Sequence, residues 1–195
     1  MQNFLTWIIA AIFILQFSQA QAEVKIDRNE NFAVMDFGSH AGTSDDKNVG
    51  IVASDYIIEK LVEKNFNIID KEMLDEKPVG IIDPDTAKKI GEILGVRYLI
   101  YGNVVDVVNG EDGANIAASV KLRSIKAHVV ARLMDVETGK ILMAAKGEGK
   151  SKSSSIGGDL LMIGTVKVSK ENVHNAIRKA SEQVVEILLS RCKIS

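Results

Sequence analysis

The sequence predicts a single α/β domain, a mixed sheet of about five strands in the order β-α-β-α-β-β-β-α with helices packed on the sheet in three layers. Three observations predict it. Short apolar runs alternate with segments of helical period between residues 32 and 101. Two strand-like runs joined by a tight turn come next between 127 and 145, and a long amphipathic stretch closes the chain at 171–190. No internal repeat breaks that order.

The elements succeed one another with clear punctuation. Phe32 to Phe37 (FAVMDF) reads as a first buried strand stopped by Gly38, and a polar loop runs from Gly38 to Asn48. Residues 50–65 alternate near a 3.6 period and predict a helix whose inward stripe includes Ile51, Ile58, Leu61 and Val62. Phe66 to Asp70 is a second strand, and Pro78 and Gly80 interrupt any regular pattern beyond it. Asp83-Pro84-Asp85 starts a helix: the first acid caps free amides, proline suits the first position, and the second acid complements the dipole. Ala87, Ile90, Ile93 and Leu94 face inward there, Gly95 ends the helix, and Val96 to Tyr101 turns directly into a third strand. Ala127 to Val136 and Lys140 to Ala145 form a hairpin across Glu137-Thr138-Gly139. Gly147 to Asp159 reads as loop. The last helix, from about Glu171 to Ser190, turns Val173, Ala176, Ile177, Ala180, Val184, Ile187 and Leu188 inward.

An export signal is expected at residues 1–22, ahead of a domain at 23–195. Trp7 to Leu15 (WIIAAIFIL) is shorter than the roughly 20 residues a membrane helix needs, and Ala20-Gln21-Ala22 offers small residues for cleavage after Ala22. Met1-Gln2-Asn3 has no Lys or Arg, so a retained tether is the alternative. The expected location is periplasmic, with outer-membrane association less favoured. The single cysteine, Cys192, lies far from the signal, so no lipid anchor is expected, and one thiol makes no internal disulfide. It is expected half-buried on the last helix, with an intersubunit disulfide as the alternative. Lys plus Arg total 24 against 26 Asp plus Glu, a net charge of −2 that carries no footprint of nucleic-acid binding.

No reactive constellation is legible. Gly149-Lys150-Ser151 resembles the end of a phosphate-binding loop, but Ala144 stands where its first glycine belongs and no helix comes after it. His40, His128 and His174 fall on a loop, a strand and a helix, without neighbours at metal-ligand spacing. Asp45-Asp46 and Glu111-Asp112 read as solvated turn acids rather than a calcium loop. No serine sits in a nucleophile elbow. The expectation is a non-enzymatic protein without cofactor or metal.

Three strings together resemble the CsgG family of curli production and secretion-channel proteins: FAVMDF at 32–37, DPDTAKKIGEILGVRYLIYGNV at 83–104, and RLMDVETGKILMAAKGEGKS at 132–151. The resemblance implies an extracytoplasmic α/β domain that, in channel members, assembles as a ring and adds two hairpins per subunit to a shared barrel. It implies protein partners or a secreted protein cargo, and a homo-oligomer. This chain departs from the channel members in lacking a lipid-attachment cysteine and in having no aromatic residue in the loop from Gly38 to Asn48. A membrane-facing strand is expected at most at Ile116, Ala118, Val120 and Leu122, whose partner, Val104 to Val108, is short against the 9–11 or so residues a barrel strand needs. Leu160 to Val168 is the usable run of the second region, because Lys150 to Ser155 has no apolar alternation. A soluble sheet extension or loop is therefore expected over a barrel.

The leading expectation is an assembly or secretion component acting through protein contacts. The alternatives are an outer-membrane channel subunit and a periplasmic regulator of cell-wall synthesis. Interfaces are expected in the loop at 38–49, with Ser44, Asp45, Asp46, Lys47 and Asn48 as an interface or pore loop, and in segments 103–126 and 150–170.

Overall fold

A computed structural model describes residues 24–40, 48–111, 122–154 and 169–194. Along the chain run β1 (Val24–Ile26), β2 (Asn31–Val34), β3 (Gly38–Ser39), α1 (Val49–Glu63), β4 (Asn67–Ile68), a 3-10 turn (Lys71–Met73) and α2 (Pro84–Leu94). β5 (Tyr98–Glu111), β6 (Leu122–Asp135), β7 (Lys140–Ser154), α3 (Lys170–Ser190) and β8 (Cys192–Ile194) complete it. The main sheet has six strands in the order β4-β2-β5-β6-β7, with β3 also against β5. β4, β2 and β5 are parallel, and β6 and β7 continue the sheet antiparallel. The class is the mixed α/β fold that the alternation of periods predicts.

The sheet is buried on two faces, which is why β2 is apolar without alternation. Phe32 and Val34 point to one face, where they meet Ile57 and Leu61 of α1 and share a core with Ile177 and Val184 of α3. Ala33 and Met35 point to the other, in a core with Leu99, Tyr101, and Ala87, Ile90 and Leu94 of α2. Phe32 anchors the first core, edge-on to Phe66 at 5.2 Å and tilted against Tyr98 at 4.8 Å. Each such buried apolar side chain is worth about 1.5–3 kcal/mol.

The family strings hold this frame at its joints. Asp83 accepts from the amides of Asp85 and Thr86, Pro84 takes the first helical position, and Gly95 ends α2 at φ 63°, a left-handed conformation suited to glycine. A hydrogen bond from the Thr86 side chain, followed by the Thr86 amide, holds the Asp83 carboxyl below its ordinary pKa. Arg97, directly ahead of β5, reaches Asp135 Oδ2 at 2.9 Å and pairs with Glu137, while Asp135 Oδ1 accepts from Thr138 N in the hairpin turn. Gly147 and Gly149 let β7 approach α3: a Cβ on Gly149 would lie 1.8 Å from Ala176 O, and one on Gly147 2.0 Å from Ala180 O.

Several details differ from expectation. α1 buries Val49, Ala53, Ile57 and Leu61, whereas Ile51 is 44% and Val62 54% exposed and Ile58 is half-buried. Helical period identifies a stripe but not its centre; here Ser181 Oγ of α3 bonds Ala53 O and sets the helix rotation through small residues. Ile93 is also exposed, because α2 covers only one end of its sheet face. β7 continues through Ser154 although Lys150 to Ser154 lacks apolar alternation. Pairing with Leu122 to Lys126 and support from α3 hold it, with Lys179 Nζ 3.0 Å from Lys150 O and Ser151 Oγ 3.2 Å from Asn172 Oδ1. Cys192 lies after the last helix, in β8, which pairs in parallel with β1 and sets Val24 opposite Cys192.

Candidate interaction site

The chain leaves β2 for β4 through α1 on one face and leaves β4 for β5 through α2 on the other. The strand order therefore reverses between β2 and β5, and on the other side of β2 its carboxyl end and that of β4 flank a separate crevice. Met35 N still bonds Ile100 O, but the next residue, Asp36, turns away from β5 to bridge Val79 and accepts from Gly80 N at 2.9 Å. Its side chain is 13% exposed, with the Oδ1 atom buried beside Lys71, whose Nζ lies 2.6 Å away at an angle outside hydrogen bonding. Lys71 is held there by the 3-10 turn, which Asp70 caps by accepting from Glu72 N at 2.9 Å. Two charges taken out of water are tolerated only as a pair, so this ion pair fixes the crossover after β4 against the end of β2.

Above the pair opens a cleft of about 730 Å³ between α1 and residues 68–77. Ile51, Ile58 and Val62 of α1 face it with Ile68 and Ile69, and Asp55, Asp70 and Glu72 join its lining. The three α1 residues that a core stripe would have buried are thus the apolar wall of the cleft. Lys71 and Lys77 join the lining too, Lys77 paired with Glu72, so the cleft is partly apolar and carries charges of both signs.

On the sheet face that α2 leaves uncovered, a row crosses three strands. Asp106 stands opposite His128, and His128 opposite Glu148. His128 Nδ1 contacts Asp106 Oδ1, and Nε2 lies 3.3 Å from Glu148 Oε2. The register shift between Val104 and Asp106 creates this alignment by leaving Val105 as the extra residue. Each histidine nitrogen is committed to a carboxylate, and no group of three or more His, Cys, Asp or Glu able to hold a metal occurs among the described residues.

Of the residues singled out in sequence, Ser44, Asp45, Asp46, Lys47, Ile116, Ala118 and Val120 lie outside the described residues. Asn48 is exposed at the start of α1, and Leu122 opens β6 opposite Ser154. His40 is exposed after β3, its amide on Val104 O, and His174 is on α3. Gly149-Lys150-Ser151 is continuous strand, its glycine serving the approach of α3. The described parts of the first insert region extend the main sheet: Val104, Val107, Ile125 and Ala127 share a core with Val173 and Ile177 of α3. No helix among the described residues is long and apolar enough to cross a membrane. Sequence reasoning missed Asp36, Lys71 and the cleft; the signal was an acid ending an apolar strand, an ambiguous one by itself.

The fold is an α/β domain with an open cleft beside its edge strand. The chain belongs to the CsgG family, curli production assembly/transport component, whose profile it matches over residues 14–194. Among solved structures it is similar to the LpoB C-terminal domain from Salmonella enterica (14% identity, 69% of this chain and 90% of that one, TM-score 0.44). It is also similar to a PelC dodecamer from Paraburkholderia phytofirmans (12%, 89% and 96%, 0.44) and to lipoprotein GNA1162 from Neisseria meningitidis (16%, 64% and 84%, 0.46). A search of curated proteins returns no match.

Proposed function

We propose that this protein is a non-enzymatic, extracytoplasmic assembly or secretion component that works through protein contacts, with copies of itself among its partners. The observation that carries the proposal is the family match along nearly the whole chain. The cleft supports it, since an open, partly apolar surface suits a protein partner. The cargo of curli secretion is the finer form of this reading, and a periplasmic location without a lipid anchor accords with the export signal proposed for residues 1–22. The test is crosslinking in the native cells followed by osmotic-shock fractionation. The expected result is release without detergent together with crosslinked species above the monomer mass; a protein that crosslinks to nothing at native abundance refutes the contact role, and one that stays with the membrane refutes the soluble form of it.

A further inference from the structure

Along β5, β6 and β7 the side chains alternate between the sheet face that α1 and α3 cover and the opposite one. Ile125, Ala127, Val129, Ala145 and Gly147 are buried on the covered face. Lys126, Arg132, Lys146, Lys150 and Lys152 are out of phase with them and stand on the open face, where Lys146 and Lys152 are exposed. Asp106 and Glu148 share that face, and His128 engages both. Among the described residues no acid pairs with Lys126, Arg132, Lys146 or Lys152. Lys126 and Lys150 even stand directly opposite each other across the β6-β7 ladder, an unfavourable placement for like charges.

We infer that this open face docks an acidic segment of a partner protein, a short extended stretch that carries carboxylates and aliphatic side chains. The inference rests on the contact role proposed above and gives the chemistry of one partner. Charge selects the occupant. The bases fall into two groups, Arg132 and Lys146 on one side of the Asp106-His128-Glu148 row and Lys126, Lys150 and Lys152 on the other. Lys146 and Lys150 are separated by about 13 Å of strand. A bound segment therefore places acids at both ends of that interval and an uncharged residue at its middle, where Asp106 and Glu148 repel a carboxylate.

The same interruption disfavours a uniformly anionic surface such as a lipid bilayer, which cannot withdraw its charge from the middle of the face. Val105 and Val108, each 45% exposed, and half-buried Val130 lie among the charges. They favour a peptide, whose aliphatic side chains cover them, over an anionic polysaccharide.

Fluorescence anisotropy on the purified protein tests this at about 50 mM salt, where charge contacts are weakly screened. The probe is a labelled peptide of about 12 residues, long enough to span the face, with glutamates spaced as Lys146 and Lys150 are and valine and threonine between them. A second peptide has the same composition with its glutamates contiguous. The spaced peptide is expected to bind and the contiguous one to bind more weakly. Lys126→Gln with Lys146→Gln is expected to weaken binding by roughly fivefold or more, the loss of two charge pairs. Lys25→Gln with Lys64→Gln removes the same charge from exposed positions elsewhere and is expected to leave binding unchanged. Circular dichroism checks that both variants keep their fold. No binding of the spaced peptide, equal losses in the two variants, or a contiguous peptide that binds as well each overturn the inference. So does binding to phosphatidylglycerol vesicles or to polygalacturonate at least as tight as to the peptide, or self-association that Lys126→Gln with Lys146→Gln abolishes, since the face then belongs to another occupant. Crosslinks to other proteins in cells would leave the contact role standing in any of those cases, so the two readings fail separately.

Discussion

Two glycines explain more of this chain than any of its charged groups. The string KGEGKS invites comparison with nucleotide-binding loops, yet Gly147 and Gly149 are there because Ala180 and Ala176 carbonyls lie where a Cβ would be. Gly149→Ala has no flexible side chain to displace and must shift α3 or β7. It is expected to destabilise by about 1–3 kcal/mol or more, measured by urea unfolding. Such a role is invisible in sequence, since a glycine demanded by a neighbour distant along the chain has the same local signature as one in a loop. Cys192 gives a second prediction. Burial raises its thiol from the ordinary 9.0 to about 11, and Sγ contacts Leu188 O at 2.9 Å. The folded thiol is thus about a hundredfold poorer in thiolate near neutral pH, and alkylation should be slow until the protein unfolds. Below pH 9 the shift contributes nothing to stability, and from 9 to 11 the unfolded chain ionises while the folded one does not. Stability should fall across that window, and Cys192→Ser should lessen the fall in pH-dependent thermal melts.

Elements were legible where local chemistry alone defines them. α2 is the clearest: its acid, proline and glycine announce both ends, and Asp83→Ala should lower its stability, read as a lower thermal midpoint. The lowered Asp83 pKa adds a pH signature: the carboxylate's contribution is present above pH 3.8 and is lost as pH falls through the depressed folded value. The hairpin and α3 were legible for the same reason, whereas β1, β3 and β8 are short and acquire strand character only from partners distant in sequence. α1 was legible as a helix and misleading as a stripe, since Ile51, Ile58 and Val62 satisfy a helical period while facing the cleft. The buried pair beneath that cleft supplies a test at the level of the crossover. Lys71→Met strands Asp36 without its counter-charge and should cost about 3–5 kcal/mol in chemical denaturation, while adding Asp36→Asn should recover part of the loss.

At the scale of the molecule, the sequence announced one α/β domain and a family, because patterning and motif order extend over the whole chain. It did not announce the candidate site. The cleft arises where two crossovers diverge, joining side chains from residues 34 to 77 that the sequence keeps apart. The pairing of β1 with β8 belongs to this scale too. Ending the chain at Arg191 removes β8, takes away the partner of the strand that holds buried Ile26, and should open residues 24–30 to limited proteolysis. The same pairing sets a timetable. A chain is made from its amino end, so Val24 has no partner until residue 192 exists, and the contact then closes a loop spanning nearly the entire polypeptide. Nascent chains would carry β1 as an unprotected strand until synthesis is complete, and its closure would mark the last act of folding.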